Sequence, residues 1–240
     1  MSLFSQPHSA RPPGAPAPRP ARWLALGDSY TIGEGVPETA RWPVRVAALI
    51  GEKGEKGEQG EKGEQGLRLE PPRILAATGW TTDELLAGMQ AAGMWPAHEE
   101  FELVSLLIGV NDQYRGRSRG EFAPRYAECL ARAVALAGGH AAHVLALSIP
   151  DWGVTPFAEG RDSAGIARTL DGYNAEERAR VAAAGAHWCD ITPLSRRHGA
   201  DPAFLAADGL HPGPAAYAEW ARAALPAARA ALAGHPPARD

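Results

Sequence analysis

The sequence WLALGDSYTIGEG occupies residues 23–35 and changes character at Gly27. Its first part, Trp23–Gly27, is a short apolar run that ends at glycine, which is typical of a buried β-strand. Glycine lets the chain turn sharply, and the turn places Ser29 just beyond the carboxyl end of the strand. Free N–H groups at the start of the following turn or helix can bind an anion there. The stretch therefore predicts a buried strand followed by a reactive loop.

The same alternation of short apolar runs and helix-forming segments continues along the chain. Further strands are predicted at residues 72–78, 101–109, 143–150 and 186–192. Strands that alternate with helices indicate a parallel sheet covered on both faces. We therefore predict an α/β fold, a three-layer α/β/α sandwich with a central five-stranded parallel sheet.

Two of the predicted helices raise specific expectations. The segment that begins after Trp80 has Thr81 or Thr82 as its N-cap and acidic residues in its first turn. The last helix spans residues 213–234, and Pro226 lies inside it. A proline inside a helix removes a hydrogen bond, so we expect Pro226 to kink or split this helix.

Length, composition and charge limit the domain organisation and the class of function. The chain has 240 residues and a formal net charge of −4, which argues against nucleic-acid binding. We predict a disordered Pro-rich leader at residues 1–21, one domain at 22–234 and a tail at 235–240. No apolar run approaches the ~20 residues that span a membrane, and the leader lacks the apolar core of a signal peptide.

These features favour a cytoplasmic protein, and they leave its oligomeric state open. The two cysteines, Cys129 and Cys189, are expected to be buried free thiols, although a disulfide between them is conceivable.

Residues 51–66, GEKGEKGEQGEKGEQG, have glycine at every third position, which is the period of collagen. The repeat is too short for a triple helix and contains no proline. Each interior glycine costs an α-helix about 1 kcal/mol. We therefore predict a flexible polar surface loop within the domain. Because it joins the first long helix to the second strand, it should lie at the amino ends of the strands, far from Ser29.

Loops that follow parallel strands share one edge of the sheet, and four of them carry chemically useful groups. A serine hydroxyl such as that of Ser29 needs a base, and His211 has a suitable pKa. Asp208, three residues earlier in DGLH, can hold the imidazole in one tautomer. The backbone N–H groups of Ser29 and Gly79 and the side chain of Asn111 can stabilise a developing oxyanion.

The motifs that carry these residues are GDSYT, the glycine of TGWTTDELL, GVND and DGLHP, and together they resemble the SGNH/GDSL hydrolase family. The four residues that name the family match Ser29, Gly79, Asn111 and His211, and Asp208 matches its triad acid. The resemblance covers residues 22–233 and implies the flavodoxin-like SGNH hydrolase fold. Tyr30 stands where the GDSL motif has leucine, as in members that resemble lysophospholipase-type esterases, so the motif does not define the substrate pocket.

The loop at residues 150–162 follows the fourth strand at the same edge and is long enough to be a binding loop. Its Trp152 and Phe157 are candidate substrate-pocket residues, although they could equally serve only to anchor the loop. Three arginines follow the Asn111 motif, and they either attract an anionic substrate group or form a solvated basic loop. These residues are Arg115, Arg117 and Arg119. Asp28 is interpreted as an acceptor for loop N–H groups and not as a nucleophile.

The function that these residues predict is a serine esterase that hydrolyses a small-molecule ester with a small or medium acyl group. Ser29, Asp208 and His211 would be its catalytic residues, and no metal or organic cofactor is expected. No histidine pair has metal-ligand spacing on a helix. The alternatives are a sugar O-deacetylase or an acyltransferase that uses the same site, and a catalytically silent binding module on the same fold.

Overall fold

A central sheet of five strands organises the part of the chain that the computed structural model describes, residues 19–55 and 68–237. The strands are β1 (Trp23–Gly27), β2 (Arg73–Ala76), β3 (Leu103–Leu107), β4 (Val144–Leu147) and β5 (His187–Cys189). All neighbouring pairs are parallel, and the order across the sheet is β2-β1-β3-β4-β5. The predicted five-stranded parallel sheet is confirmed, and its strand order is the flavodoxin-like one.

The register of the strands brings their carboxyl ends to a common level. Gly27 at the end of β1 is paired with Ala76 of β2 and with Leu107 of β3. Every residue of β1, β3 and β4 is buried, as expected for strands covered on both faces. The loops that follow β1, β2 and β3 therefore begin side by side at one edge.

Two groups of helices flank the sheet. The helices are α1 (Ser29–Ile32), α2 (Trp42–Glu55), α3 (Thr82–Ala91), α4 (Val110–Tyr114), α5 (Arg119–Leu136), α6 (Ser163–Ala184), α7 (Thr192–His198) and α8 (Pro214–Leu232). Helix α2 packs against α8, whereas α5 packs against α3 and α6. The three-layer α/β/α architecture is thus confirmed.

Capping residues fix the beginning of the two helices that follow the site loops. At α3, the Thr81 hydroxyl accepts a hydrogen bond from the N–H of Glu84, and the Glu84 carboxylate accepts one from the N–H of Thr81. At α5, Ser118 and Glu121 form the same reciprocal pair. Each pair satisfies two N–H groups that the helix leaves without partners. Thr81, and not Thr82, is therefore the N-cap of α3.

The glycine repeat begins inside a helix, which corrects the prediction that all of residues 51–66 form a loop. Helix α2 continues through residues 51–55, and residues 56–66 lie outside the described part of the chain. Extending an existing helix adds one hydrogen bond per residue without a new nucleation step. Glu and Lys are good helix formers, so the helix tolerates the first glycines of the repeat.

The described chain also begins before the predicted domain boundary at residue 22. The N–H of Ala21 donates to the carbonyl of Arg68 (2.7 Å), and the N–H of Glu70 donates to the carbonyl of Ala21 (2.9 Å). Ala21 is buried and pairs with Leu69 just ahead of β1. Ala21 therefore belongs to the folded domain and not to a disordered leader, whereas residues 1–18 of that predicted leader lie outside the described residues.

The C-terminal helix is not split at Pro226, contrary to one of the two outcomes we expected. Helix α8 runs from Pro214 to Leu232 without a break. Buried residues on both sides of the proline, Trp220 and Ala228 among them, hold both halves in the core. Beyond the helix, the carbonyl of His235 lies 3.0 Å from Nε2 of His187, so the predicted tail starts packed on β5; residues 238–240 are not described.

Candidate active site

The turn after β1 places Ser29 at the first position of α1. A Cβ atom on Gly27 would lie 2.2 Å from the Thr31 hydroxyl oxygen and 2.5 Å from the carbonyl oxygen of Leu107, so only glycine fits there. Asp28 caps the helix, and its Oδ1 accepts a hydrogen bond from the N–H of Tyr30 (3.0 Å). Ser29 itself is 4% exposed. The sequence thus builds a tight turn that directs the chain from the sheet into a helix at the serine.

Asp28 directly precedes Ser29, and its carboxyl group is buried. Burial raises the pKa of Asp28 to about 8, although the hydrogen bond from the Tyr30 N–H opposes the rise. Its other oxygen, Oδ2, has no hydrogen-bond partner among the described residues. Asp28 organises the turn, as the sequence indicated.

Asp208 and His211 form a compact pair in the loop before α8. Oδ2 of Asp208 lies 2.5 Å from Nδ1 of His211. Oδ1 accepts hydrogen bonds from the backbone N–H groups of Leu210 (2.9 Å) and His211 (3.0 Å). Partial burial alone would raise the pKa of Asp208, but the hydrogen bonds from the ring and the two N–H groups outweigh it and hold the pKa below its ordinary value.

A short bridge anchors this loop to the rest of the fold. Leu205 and Pro212 pair in antiparallel fashion, and the N–H of Ala206 donates to the carbonyl of His211 (2.8 Å). Gly209 adopts a φ of +67°, which lets the chain turn between Asp208 and His211. The ring of Tyr30 meets that of His211 edge to face, with centroids 5.8 Å apart.

Gly79 and Asn111 lie in the loops after β2 and β3. Gly79 has a φ of +83°, and its carbonyl accepts a hydrogen bond from Nη2 of Arg115 (2.7 Å). Nδ2 of Asn111 donates one of its two hydrogens to the carbonyl of Trp80 (2.9 Å). This contact holds the Asn111 amide in place and leaves the second hydrogen for another acceptor.

The basic loop after Asn111 is engaged in ion pairs. Arg115 contacts Glu84 (3.2 Å), and Arg117 contacts Asp83 (2.7 Å) and the buried Asp112 (2.8 Å). Asp112 also accepts hydrogen bonds from the N–H and the hydroxyl of Thr82. Two of the three arginines that could have attracted an anion therefore tie α4 to the start of α3 instead.

The structure brings the predicted residues into a single cleft of about 180 Å³. Its walls include Ser29, Gly79, Asn111 and His211, together with the two candidate pocket residues, Trp152 and Phe157. Asp208 contacts His211 from behind. Within the described residues, no hydrogen bond joins the Ser29 hydroxyl to His211. Catalytic hydrogen bonds are often long before substrate binds, so this absence does not exclude a proton transfer between two residues that line the same cleft.

An aromatic cluster forms one wall of the cleft and includes a residue that the sequence did not single out. Tyr114 lies 5.3 Å from Trp152 and 6.2 Å from Phe157, measured between ring centroids. Nε1 of Trp152 donates to Oε1 of Gln113 (2.7 Å), and the N–H of Phe157 donates to the carbonyl of Gly209 (3.2 Å). Tyr114 follows Asn111 by three residues, and this helical spacing is the feature of the sequence that could have identified Tyr114 as a cleft residue.

The described residues hold no group of three or more His, Cys, Asp or Glu side chains placed to bind a metal ion. Cys129 and Cys189 are both buried and unpaired. Among residues 19–55 and 68–237, every helix is too short or too polar to cross a lipid bilayer.

Comparison with known proteins agrees with this geometry. Residues 25–219 match the GDSL-like lipase/acylhydrolase family. No curated protein matches the chain in sequence. Among solved structures, the chain is similar to TesA, with a TM-score of 0.64 and 20% identity over 88% of this chain and 99% of that one.

Two further solved structures share the fold at similar levels. Axe2, an acetylxylan esterase from Geobacillus stearothermophilus, has a TM-score of 0.62 and 19% identity, over 87% of this chain and 94% of that one. The esterase EstA from Pseudoalteromonas sp. has a TM-score of 0.61 and 14% identity, over 87% and 97% of the two chains. With its family match over most of its length, this chain belongs to the GDSL-like lipase/acylhydrolase family of ester-hydrolysing serine hydrolases.

Proposed function

We propose that the chain is a serine esterase in which Ser29 is the nucleophile, His211 the general base and Asp208 the residue that orients the imidazole. The N–H groups of Ser29 and Gly79 and the side chain of Asn111 form the oxyanion hole. The observation that carries the proposal is that the cleft residues and the Asp208–His211 contact occur together in one site. Ser29, Gly79, Asn111 and His211 line one cleft, while Asp208 holds Nδ1 of His211 from outside it.

The Asp208 contact determines which ring nitrogen can act as the base. With Nδ1 donating its hydrogen to Asp208, Nε2 carries the free lone pair. Nε2 accepts the Ser29 proton as Oγ attacks the carbonyl carbon of the ester. The lowered pKa of Asp208 means that it stays ionised and stabilises the imidazolium that forms.

The remaining steps follow from the same groups. The tetrahedral intermediate collapses, the bond to the alcohol breaks, and the alcohol leaves with the proton from Nε2. Water then attacks the acyl group on Ser29, with His211 again taking the proton, and the acid is released. Asn111 supports this chemistry because its amide is neutral and already positioned by the Trp80 carbonyl.

The dimensions of the cleft favour a small or medium acyl group. Its space of about 180 Å³ is bounded by Val110, Leu210 and the aromatic rings, so most of the wall is apolar. An acyl chain of a few carbons can bury its methylene groups there at about 0.8 kcal/mol each. A longer chain would extend out of the cleft.

The proposal is tested with p-nitrophenyl esters from acetate to octanoate and a fluorophosphonate probe that labels activated serines. Wild type should release nitrophenol and be labelled at Ser29, and Ser29→Ala should do neither. Ser163→Ala is the matched control, because Ser163 is exposed at the start of α6. If wild type releases no nitrophenol and is not labelled, or if Ser163→Ala loses activity equally, the proposal fails.

The same assay separates the alternative activities of this site. An added alcohol acceptor that captures the acyl group in place of water would indicate an acyltransferase. Faster release of acetate from acetylated sugars than from p-nitrophenyl acetate would indicate an O-deacetylase. Both activities proceed through the same acyl-enzyme on Ser29. The acyltransferase differs in the acceptor of the acyl group, and the O-deacetylase differs in the ester that supplies it.

A further inference from the structure

Arg161 lies against the aromatic wall of the cleft. Its guanidinium carbon is 5.4 Å from the ring centroid of Tyr114 and 5.5 Å from those of Trp152 and Phe157. All three rings line the cleft that holds Ser29 and His211. A guanidinium within about 6 Å of an aromatic ring is attracted to its face, and here three rings share one cation. The contact places a positive charge beside the cleft.

The charge of Arg161 is not neutralised by the protein. Its guanidinium has no ion pair or hydrogen bond with any residue in the described part of the chain. The neighbouring cations differ in this respect, since Arg115 and Arg117 are paired with acidic groups of α3 and α4. Arg168, which lies in α6, pairs with Asp162 (3.7 Å). An exposed cation held by rings and left without a carboxylate can receive one from a ligand.

The rings and the ligand use different parts of the guanidinium. Aromatic contacts occupy its planar face, whereas its N–H groups lie in the plane and bind a carboxylate through two parallel hydrogen bonds. The chain as a whole carries a formal charge of −4, which repels anions at long range. A local unpaired cation at the cleft therefore gives an anionic substrate a specific place to bind.

We propose that Arg161 is a specificity-determining residue that binds a carboxylate group on the ester substrate while the ester bond lies at Ser29. The natural substrates would then be esters that carry a free carboxylate on either the acyl or the alcohol part. This inference rests on the proposed esterase function and assigns a substrate class to it.

Two matched substrate pairs test the proposal in the full-length protein. On the alcohol side, 4-acetoxybenzoate is compared with its methyl ester. On the acyl side, p-nitrophenyl hydrogen adipate is compared with p-nitrophenyl hexanoate. The measured quantity is the ratio of kcat/KM for the charged and the neutral ester, which cancels any general loss of activity.

For at least one pair, the ratio measured for Arg161→Gln should be about tenfold or more below that of wild type. A decrease of this size is expected for loss of a charge-assisted hydrogen bond. Arg161→Lys keeps the charge but lacks the planar guanidinium, so its ratio should lie between those of wild type and Arg161→Gln. Arg168→Gln removes the same charge from the neighbouring helix and should leave the ratio unchanged. The proposal is overturned if Arg161→Gln changes neither ratio, or if Arg168→Gln lowers the ratio as much.

A binding measurement separates this inference from the esterase proposal. Calorimetry measures the affinity of 4-acetoxybenzoate and of p-nitrophenyl hydrogen adipate for Ser29→Ala, where no turnover is needed. The ester that binds more tightly is then measured with Ser29→Ala/Arg161→Gln. About tenfold weaker binding by the double variant supports the carboxylate site even if no ester is hydrolysed. Equal affinities, or no binding to either variant, overturn it, whereas normal hydrolysis of neutral esters would leave the proposed function intact.

Discussion

Oδ2 of Asp208 lies 2.5 Å from Nδ1 of His211, and Oδ1 of the same carboxylate is held by the backbone N–H groups of Leu210 and His211. One side chain thus both folds the loop and fixes the imidazole ring of His211. Because these tasks use different oxygens, a substitution can separate them.

Asp208→Asn should lower kcat by roughly 10³-fold or more while the protein stays folded, because an amide in place of Oδ2 no longer enforces the Nδ1–H tautomer. Steady-state kinetics on p-nitrophenyl acetate and the thermal melting temperature measure the two effects. Asp208→Ala is the comparison, because it also removes the Oδ1 contacts and should lose stability. A turnover for Asp208→Asn near that of wild type would show that the contact has no part in catalysis.

Asn111→Ala should reduce kcat by about 10²–10³-fold with little change in KM, since an oxyanion-hole donor acts mainly in the transition state. Asn111→Asp retains the size of the side chain but introduces a negative charge, so it should be at least as inactive. Both are checked by kinetics at several ester concentrations. A loss that appears only in KM would place Asn111 in ground-state binding instead.

Gly79→Ala should cost about 1–2 kcal/mol of stability because its φ of +83° is strained for alanine. The methyl group itself would have room, since the nearest atom to the added Cβ is Nη2 of Arg115 at 3.8 Å. A shift of the backbone N–H away from the cleft should also lower kcat.

The matched control for this substitution is Gly93→Ala. Gly93 has a φ of +66°, is exposed beyond α3 and has no atom within 4 Å of an added Cβ. Denaturant titration should show similar losses of stability for the two variants, and only Gly79→Ala should lose turnover. Equal turnover would argue that Gly79 serves the turn alone.

Asp28 should make stability decrease as the pH rises. An unfolded Asp releases its proton near pH 4, whereas burial raises the pKa of Asp28 in the folded protein to about 8. Between these values the folded state binds more protons, so its contribution to stability is present at low pH and is lost as the pH rises towards 8.

Asp28→Asn keeps an acceptor for the Tyr30 N–H and cannot ionise. Its stability relative to wild type should therefore increase from pH 5 to pH 8, as measured by denaturant midpoints. The buried Glu177 also has a raised pKa, mainly through burial and partly through the nearby charges of Asp112 and Asp28, so the comparison is repeated in a Glu177→Gln background. A difference that stays constant over this range would contradict a raised pKa of Asp28 in the folded protein. Asp28→Ala should be about 1 kcal/mol less stable than Asp28→Asn at every pH through loss of the cap.

Much of the candidate site could be predicted because its residues lie in loops that follow strands or precede the last helix. Gly27 and Gly79 end apolar runs, Asn111 follows the most apolar one, and parallel strands bring such ends together. The pairing of Asp208 with His211 needed only a separation of three residues in a loop. Local sequence patterns were sufficient to predict the site residues that the parallel sheet brings together.

The aromatic wall and its cation depend on packing that no local pattern encodes. Tyr114 meets Phe157 only because the loop after β4 folds back until the Phe157 N–H reaches the carbonyl of Gly209. Arg161 gains its three ring contacts from the same fold-back.

The extent of α2 was misjudged for a related reason. The glycine penalty is local, whereas continuation of the helix depends on the turns before it.

Asp208 and His211 lie in one short loop, so they can move together as a rigid pair. A displacement of this loop about its Leu205–Pro212 bridge would carry Asp208 and His211 together, and their mutual contact would survive. What such a motion would change is the separation between the imidazole and the hydroxyl of Ser29, which lies at the start of α1. In the proposed mechanism, that separation alone would decide how readily Nε2 of His211 accepts the Ser29 proton, since the contact between His211 and Asp208 would stay unchanged.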